Sequence, residues 1–472
     1  MTLRKRLTSA AFWQIAARGV DRGLRFLASL LLTRLLTPDD FGLLAATMVV
    51  AGIVETISYL GTDQAVVQSH RSEDPRFLGT VWRVQLLRGL VIALCTLALA
   101  PVAAWYFADG AAMTMVALIA ISPLCTGLEN PWMFVLRKQL RFRAIALASI
   151  AGAVAQVGVS VGGAYLGFGA VSLALGFVAA AAVNTAAGWL LVPKRLQLGG
   201  DAEALIELRG FAVRAAGVPF LIMLANSAPS LILGRIAGLP VLGIYTLAQR
   251  LCSLPSEIAL PIFGSVLTPA YAELRDDLPR VRRIWIKTTT GVSLLVMPIV
   301  AALVVLDEML PRVLYGDKYA GAPGLISIIA LAGLVSSVTS CCGPMLWGLG
   351  RPEFDRKTLI IRVVVIAVMS PIAAWQGGAT MFATSILCSL SVGLVYCLHV
   401  SRRLVGARRR EVARAMVPGA IAGGVTLALC ALLKEICTRQ ELNPAWTVCG
   451  VLSIAGFAMI FSGLALKRGI VR

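Results

Sequence analysis

The sequence predicts an all-α, polytopic membrane protein of about fourteen transmembrane helices, and three observations lead there. First, 58% of the 472 residues are hydrophobic and only 14% charged, where a soluble chain is about a quarter charged; mean hydropathy is +0.83. Second, apolar runs of about 20 residues recur along the whole length, enough to cross a hydrocarbon core of about 30 Å. Third, the segments between these runs are short, and alternate ones hold nearly all the lysine and arginine.

Spans are predicted at 10–36, 41–60, 78–107, 111–129, 145–167, 169–192, 211–237, 241–269, 284–306, 324–349, 358–376, 378–400, 414–435 and 445–466. The first is the most unusual. Arg4-Lys5-Arg6 ahead of an apolar run resembles a signal peptide, but the run itself carries Arg18, Asp21, Arg22 and Arg25, so it reads as a retained helix. On a helix, Gln14, Arg18, Arg22 and Arg25 follow at spacings of four, four and three and share one side with Asp21. Such charges should face protein or a wet cavity, because each costs about 3 kcal/mol or more near the bilayer centre.

The second span carries Glu55. The third carries Arg83, read as interfacial, and Arg88, deeper and a candidate for lining a cavity. The pairs 145–167/169–192 and 358–376/378–400 are separated only by Gly-rich breaks and read as helical hairpins. The seventh span holds Arg214, read as snorkelling to the surface, and Asn226, Ser227 and Ser230; the eighth holds Gln249, Arg250 and Glu257. Lys287 in the ninth reads as interfacial. The last two spans are poor in charge apart from Lys434 and Glu435, and read either as a groove for a lipid tail or as packing helices.

With the N-terminus in the cytoplasm, the cytoplasmic segments hold 28 Lys and Arg, and the opposite segments only Arg312, Lys318 and Arg439. A miscount of one span would scramble that asymmetry, so it supports an even number of spans with both termini cytoplasmic. The loops are too short to fold as separate domains, which places any chemistry among the helices.

The same topology accounts for the net charge of +19 without nucleic acid as a partner. Most of the ten cysteines lie in apolar segments and behave as small hydrophobes. With no C-x-x-C pair, and only His70 and His399, no metal or histidine-based catalytic site is expected. No P-loop is present.

The chain also repeats. Leu31 to Leu36 runs through Thr37-Pro38-Asp39-Asp40 into Phe41-Gly42-Leu43-Leu44; 201 residues later, Ile232 to Ala237 runs through Gly238-Leu239-Pro240-Val241 into Leu242-Gly243-Ile244-Tyr245. Arg34 matches Arg235, and Gly42 matches Gly243. Asn130-Pro131 and Phe142-Arg143 are echoed by Gly343-Pro344 and Phe354-Asp355-Arg356. The predicted organisation is an N-lobe (1–200, helices 1–6), a C-lobe (201–410, helices 7–12) and two C-terminal helices (411–472). Two six-helix copies of the same orientation imply a pseudo-two-fold axis along the membrane normal, with a cleft between lobes for alternating access. The matched Arg34 and Arg235 are expected to anchor helix ends or close an outer gate.

The segment Leu32-Thr33-Arg34-Leu35-Leu36-Thr37-Pro38-Asp39-Asp40-Phe41-Gly42-Leu43 resembles the A-R-x-L-x-P-x-x-F-G-L signature of Wzx-type polysaccharide flippases, members of the multidrug/oligosaccharidyl-lipid/polysaccharide (MOP) exporter superfamily; Thr33 replaces the usual alanine. Leu60-Gly61-Thr62-Asp63-Gln64-Ala65-Val66-Val67-Gln68 resembles the family's next segment, with Ser58 where an aspartate often stands. The resemblance implies a non-enzymatic transporter of the bacterial inner membrane. It would move undecaprenyl-pyrophosphate-linked oligosaccharide repeat units outward for O-antigen, capsule or exopolysaccharide export, alongside membrane lipids and a polysaccharide polymerase/export machinery. It further implies alternating access with no cofactor, driven by an ion gradient or the membrane potential.

A lipid pyrophosphate needs cationic forks in a low-dielectric path. Arg18, Arg22, Arg25, Arg88 and Arg250 are the substrate-binding candidates, with Gln14, Asn226 and Gln249 as polar lining. Asp21, Glu55 and Glu257 are the embedded acids, and serve either as H+ or Na+ coupling groups or as charge balance for those arginines. A lipid II-type flippase and a multidrug/cation antiporter of the same superfamily are the alternative functions; embedded acids and aromatics suit the antiporter, arginines do not.

Overall fold

The computed structural model describes residues 3–58, 61–197, 201–215, 218–319, 323–440 and 443–467; within these, side chains at 3–12, 14–15, 210–215, 218–219, 254–266 and 463–467 lie outside the description. All described secondary structure is helical. In chain order the first elements are α1 (Leu3–Leu35), α2 (Pro38–Ile57), α3 (Thr62–Gln68), α4 (Pro75–Ala98), α5 (Ala100–Phe107), α6 (Gly110–Ile119), α7 (Ile121–Gly127), α8 (Trp132–Lys138), α9 (Phe142–Tyr165), α10 (Ala170–Leu191), α11 (Ala202–Ala215) and α12 (Val218–Ile236). There follow α13 (Leu239–Glu273), α14 (Leu278–Val305), α15 (Met309–Tyr315), α16 (Leu325–Thr339), α17 (Gly343–Gly348), α18 (Pro352–Leu404), α19 (Arg409–Arg439) and α20 (Pro444–Lys467).

Among the described residues, ten helices or helix pairs are long and apolar enough to cross a membrane. The 53-residue α18 is two helices joined at Gly377–Gly378, where Gly378 takes φ +61°, a conformation that favours glycine. With α18 divided, and α1, α12 and α13 counted by length, the elements are consistent with fourteen spans.

Proline sets the interruptions that hydropathy alone does not reveal. The third predicted span divides at Leu99 into α4 and α5, the fourth at Ala120 into α6 and α7, and the tenth before α17. Pro101, Pro123 and Pro344 each lack the N–H that would meet the carbonyl four residues back. The short helices α3 and α8 carry no 20-residue apolar run, so no span marks them, and the seventh predicted span takes in only the last residues of α11.

The chain divides into two compact units, Met1–Gly243 and Ile244–Arg472. In the first, α9 and α10 form the predicted hairpin and α1 packs along α9. Small residues allow the close contact: Gly152 meets Ala180, and Gly163 meets Ser172. A dense cluster around Phe77, Leu78, Trp132, Ala204 and Leu208 joins α3, α4, α8 and α11. Buried Asn130 fixes the turn into α8: its Nδ2 donates to the carbonyls of Gly188 (3.3 Å) and Val192 (2.8 Å), and its Oδ1 accepts from the Trp132 N–H (3.1 Å).

The Thr37–Gly42 segment is a helix start. Thr37 caps α2, Pro38 occupies the first turn, and the Asp40 carboxylate accepts from the Thr37 N–H at 2.8 Å, closing a capping box. Gly42 and Gly243 then cross reciprocally. A Cβ on Gly42 would lie 1.9 Å from the Leu239 carbonyl oxygen, and one on Gly243 would lie 1.9 Å from that of Pro38.

In the second unit, α14 is the central helix, packed by α16, α19 and α20. Gly419 and Gly423 of α19 meet the α14 backbone at Ser293 and Met297, a small-xxx-small contact. Lys434 donates to the Val305 carbonyl at 3.0 Å at the end of α14. α19 and α20 pack on α14 and turn apolar side chains such as Ile421, Leu432 and Phe457 outward.

A candidate anion cavity on the first helix

α1 is 33 residues long, about 50 Å at 1.5 Å per residue. Counted back from its end at Leu35, Arg25 lies about 15 Å in, Arg22 about 20 Å and Arg18 about 25 Å. Arg25 therefore falls near the middle of a core of about 30 Å, and Arg18 toward one boundary.

Arg18 and Asp21 line a cavity of about 380 Å3 together with Trp13, Arg137 and four residues of the first turns of α9, among them Phe142 and Ser149. Arg18 is exposed, and among the described residues no carboxylate lies within ion-pair distance of it. Arg25, deeper on the same helix, donates from Nε to Asp21 Oδ1 at 2.9 Å and from Nη1 to Gln156 Oε1 on α9. The Arg25 and Asp21 side chains are 33% and 19% exposed, so the pair borders the open space without being sealed. Arg22 is exposed and stands outside the lining of this cavity.

A second cation, Arg137, lines the cavity. Arg137 on α8 pairs with Asp63 on α3 at 3.4 Å, and its guanidinium lies 5.9 Å from the Phe134 ring. Arg143 lies 6.0 Å from the Trp13 ring, a cation–π arrangement between α9 and α1. The sequence places Arg137 in the cytoplasmic charge count and Arg143 there and in the repeat, and it does not single out Trp13 or Gln156. The Asn130–Pro131 echo marked the neighbouring turn, but a glutamine within an apolar helix gives no signal until its partner helix is known.

Arg88, Glu55 and Asn226 are not among the residues that line this cavity. Arg88 donates from Nε to the Ser58 carbonyl (2.7 Å) and from Nη2 to the Glu55 carbonyl (3.1 Å), so it satisfies the orphan carbonyls at the end of α2. The Glu55 side chain is exposed on the last turns of α2, and Asn226 is exposed on α12. In the second unit, Gln249 and Arg250 are exposed on α13. The side chains of Gln14 and Glu257 lie outside the described residues. Arg34 is exposed in the last turn of α1. Arg235 donates to the Tyr106 carbonyl at 2.7 Å and stacks over Trp105 and Tyr106.

These features define a class first: a multi-pass helical membrane protein with a transporter fold. The chain superimposes on the structure described as lipid II flippase MurJ in an inward closed conformation with a TM-score of 0.73, covering 98% of this chain and 100% of that one; at 13% identity this is a likeness of fold. The family follows from sequence. The model for polysaccharide biosynthesis proteins matches residues 31–323, more than half of the chain, and the chain belongs to that family. It is 25% identical over 362 residues to the succinoglycan biosynthesis transport protein ExoT of Rhizobium meliloti (strain 1021), spanning 76% of this chain and 73% of the relative. It is 22% identical over 383 residues to the lipopolysaccharide biosynthesis protein WzxC of Escherichia coli (strain K12), spanning 80% and 77%.

Proposed function

We propose that this protein is an alternating-access flippase that carries undecaprenyl-pyrophosphate-linked oligosaccharide repeat units from the cytoplasmic to the periplasmic leaflet of the bacterial inner membrane, with both termini in the cytoplasm. The observation that carries the reading is the arginine stripe of α1. Arg18 lines an open cavity with Arg137, and Arg25 stands deeper on the same membrane-spanning helix, paired with the cavity-lining Asp21. A diphosphate cannot enter a low-dielectric layer bare, and guanidinium forks offer it paired, charge-assisted hydrogen bonds along the way. Membership of the polysaccharide biosynthesis family supports a lipid-linked saccharide as the load.

The process proposed is movement without bond-making, so the residues bind and release rather than catalyse. The arginine-rich lining disfavours a cationic drug as substrate, because like charge in low dielectric repels strongly. A lipid II-type load shares the same diphosphate chemistry; family membership favours the polysaccharide branch. The released repeat unit would pass to a polymerase and export machinery, and coupling to H+ or Na+ would fall to Asp21, Glu55 or Glu257.

The test is genetic and chemical together. In a strain lacking the gene, lipid-linked repeat units should accumulate on the cytoplasmic face. Complementation with Arg18→Ala, Arg22→Ala or Arg25→Ala should fail while the protein still inserts; full activity from all three variants would remove the site assignment.

A further inference from the structure

Arg25 reaches the cavity through Asp21, which lines it, and two of its five N–H donors are already occupied. Nε is held by Asp21, and Nη1 by Gln156. Both partners hold it differently. Gln156 is neutral and sits on the neighbouring helix, so it aims the guanidinium. Asp21 is one turn away on the same helix and lines the same cavity as Arg18, so it can leave Arg25 by a side-chain rotation with no backbone movement.

The charge balance gives this arrangement a purpose. Arg18 and Arg25 less Asp21 leave a net charge of +1 beside this cavity. A diphosphate diester ionised once on each phosphate brings about two negative charges, which Arg18 and Arg25 match once Asp21 has turned away. Without Asp21 nothing would compete with the group for Arg25, and it would be held more tightly.

Resting on the reading of this cavity as a diphosphate site, we propose that Asp21 is a built-in counter-anion. It occupies Arg25 until a phosphate or diphosphate group displaces it, and its return to Arg25 drives that group out. Gln156 is the positioning residue that keeps Arg25 aimed during the exchange.

The experiment uses the full-length protein in nanodiscs for binding and in proteoliposomes for transport. The binding probes are undecaprenyl pyrophosphate, undecaprenyl phosphate and inorganic pyrophosphate, so lipid-borne and free diphosphate are told apart. Asp21→Asn should bind undecaprenyl pyrophosphate about tenfold more tightly, and its transport should show kcat and KM falling together, by a similar factor. Asp21→Glu should return both to within about threefold of wild type, and Gln156→Leu should weaken binding about tenfold.

A structural ion pair alone predicts the opposite for Asp21→Asn: lower stability, with affinity unchanged or weaker. That outcome, or wild-type kcat in Asp21→Asn, overturns the proposal. Should Asp21→Asn fail to insert, Asp21→Glu carries the test, and a loss of more than about tenfold in affinity at unchanged Tm overturns it. If the wild-type protein binds none of the three probes, the diphosphate reading of the cavity falls and this proposal with it. If wild type binds and Asp21→Asn binds equally well, only the role of Asp21 falls.

Discussion

Arg25 and Arg18 share a helix face but differ in what surrounds them. Arg25 is bound by Asp21 and Gln156, whereas Arg18 opens onto the cavity with no carboxylate in ion-pair range among the described residues. Arg18→Ala should therefore leave thermal stability unchanged and weaken undecaprenyl pyrophosphate binding about tenfold. Arg25→Ala should weaken binding about as much and also lower Tm, because it strands Asp21 beside low-dielectric surroundings. Paired Tm and affinity measurements on the two variants check this contrast; equal Tm losses would contradict it. The stripe itself was legible from spacing, since three or four residues bring side chains onto one helix face. Gln156 and Arg137 were not, because their part depends on which helices lie against α1. Arg88 shows the same limit: nothing in its spacing announces the two carbonyls at the end of α2 to which it donates.

At the scale of elements, two contacts are open to direct trial. The first is the crossing of α2 and α13 at Gly42 and Gly243, where a methyl group would meet a backbone oxygen at 1.9 Å. A backbone oxygen cannot rotate away, so Gly42→Ala must push the two helix starts apart. Transport should fall at least about tenfold with normal insertion, whereas Gly52→Ala on the same helix, with nothing within 4 Å, should be silent apart from a small helix-propensity gain.

The second contact is the clasp between Arg71 and α11. Arg71 Nη2 pairs with Asp74 at 3.0 Å and with Asp201, and its Nη1 with Glu203 at 3.3 Å. Backbone N–H donors, with Arg71 second, hold both aspartates below the usual carboxylate range: Ala204 for Asp201 and Arg76 for Asp74. Depressed carboxylates contribute stability that is present above the unfolded value of about 3.9 and lost as pH falls through the lower folded value. Hydrogen exchange of α11 should then be pH-independent after correction between pH 5 and 8 and accelerate only below about pH 4. Arg71→Ala should accelerate it at every pH.

Element boundaries were legible where hydropathy speaks and hidden where it does not. The apolar runs mark the spans and the Gly377–Gly378 break divides the last hairpin, but α3, α8 and α11 are held by contacts such as the Ala204–Phe77 cluster that no local pattern announces.

For the whole molecule, the repeat seen in sequence is accompanied by a second pair of similar contacts. In the second unit Arg282 pairs with Glu411 and donates to the Gly406 carbonyl at 3.1 Å. Arg282 follows Arg71 by 211 residues, and Glu411 follows Asp201 by 210. Each predicted six-span lobe is thus followed by a segment tied back to one of its loop arginines.

The proposed load is anionic, which fixes the direction in which a membrane potential acts. Moving one charge through 100 mV is worth about 2.3 kcal/mol, so two negative charges leaving a negative interior shift the equilibrium distribution by about three orders of magnitude. A valinomycin-imposed potential, negative on the donor side, should accelerate transport in proteoliposomes, and reversing its sign should slow it. Equal rates at both signs would show that no net charge moves.

The most direct measurement is translocation itself. Proteoliposomes loaded with undecaprenyl-pyrophosphate-linked repeat units would be probed by an impermeant reagent for the sugar on the opposite leaflet. Wild-type protein should expose the repeat unit at a rate at least about a hundredfold above that of the Arg18→Ala/Arg25→Ala variant. Equal rates from the two proteins, both correctly inserted, would contradict the account.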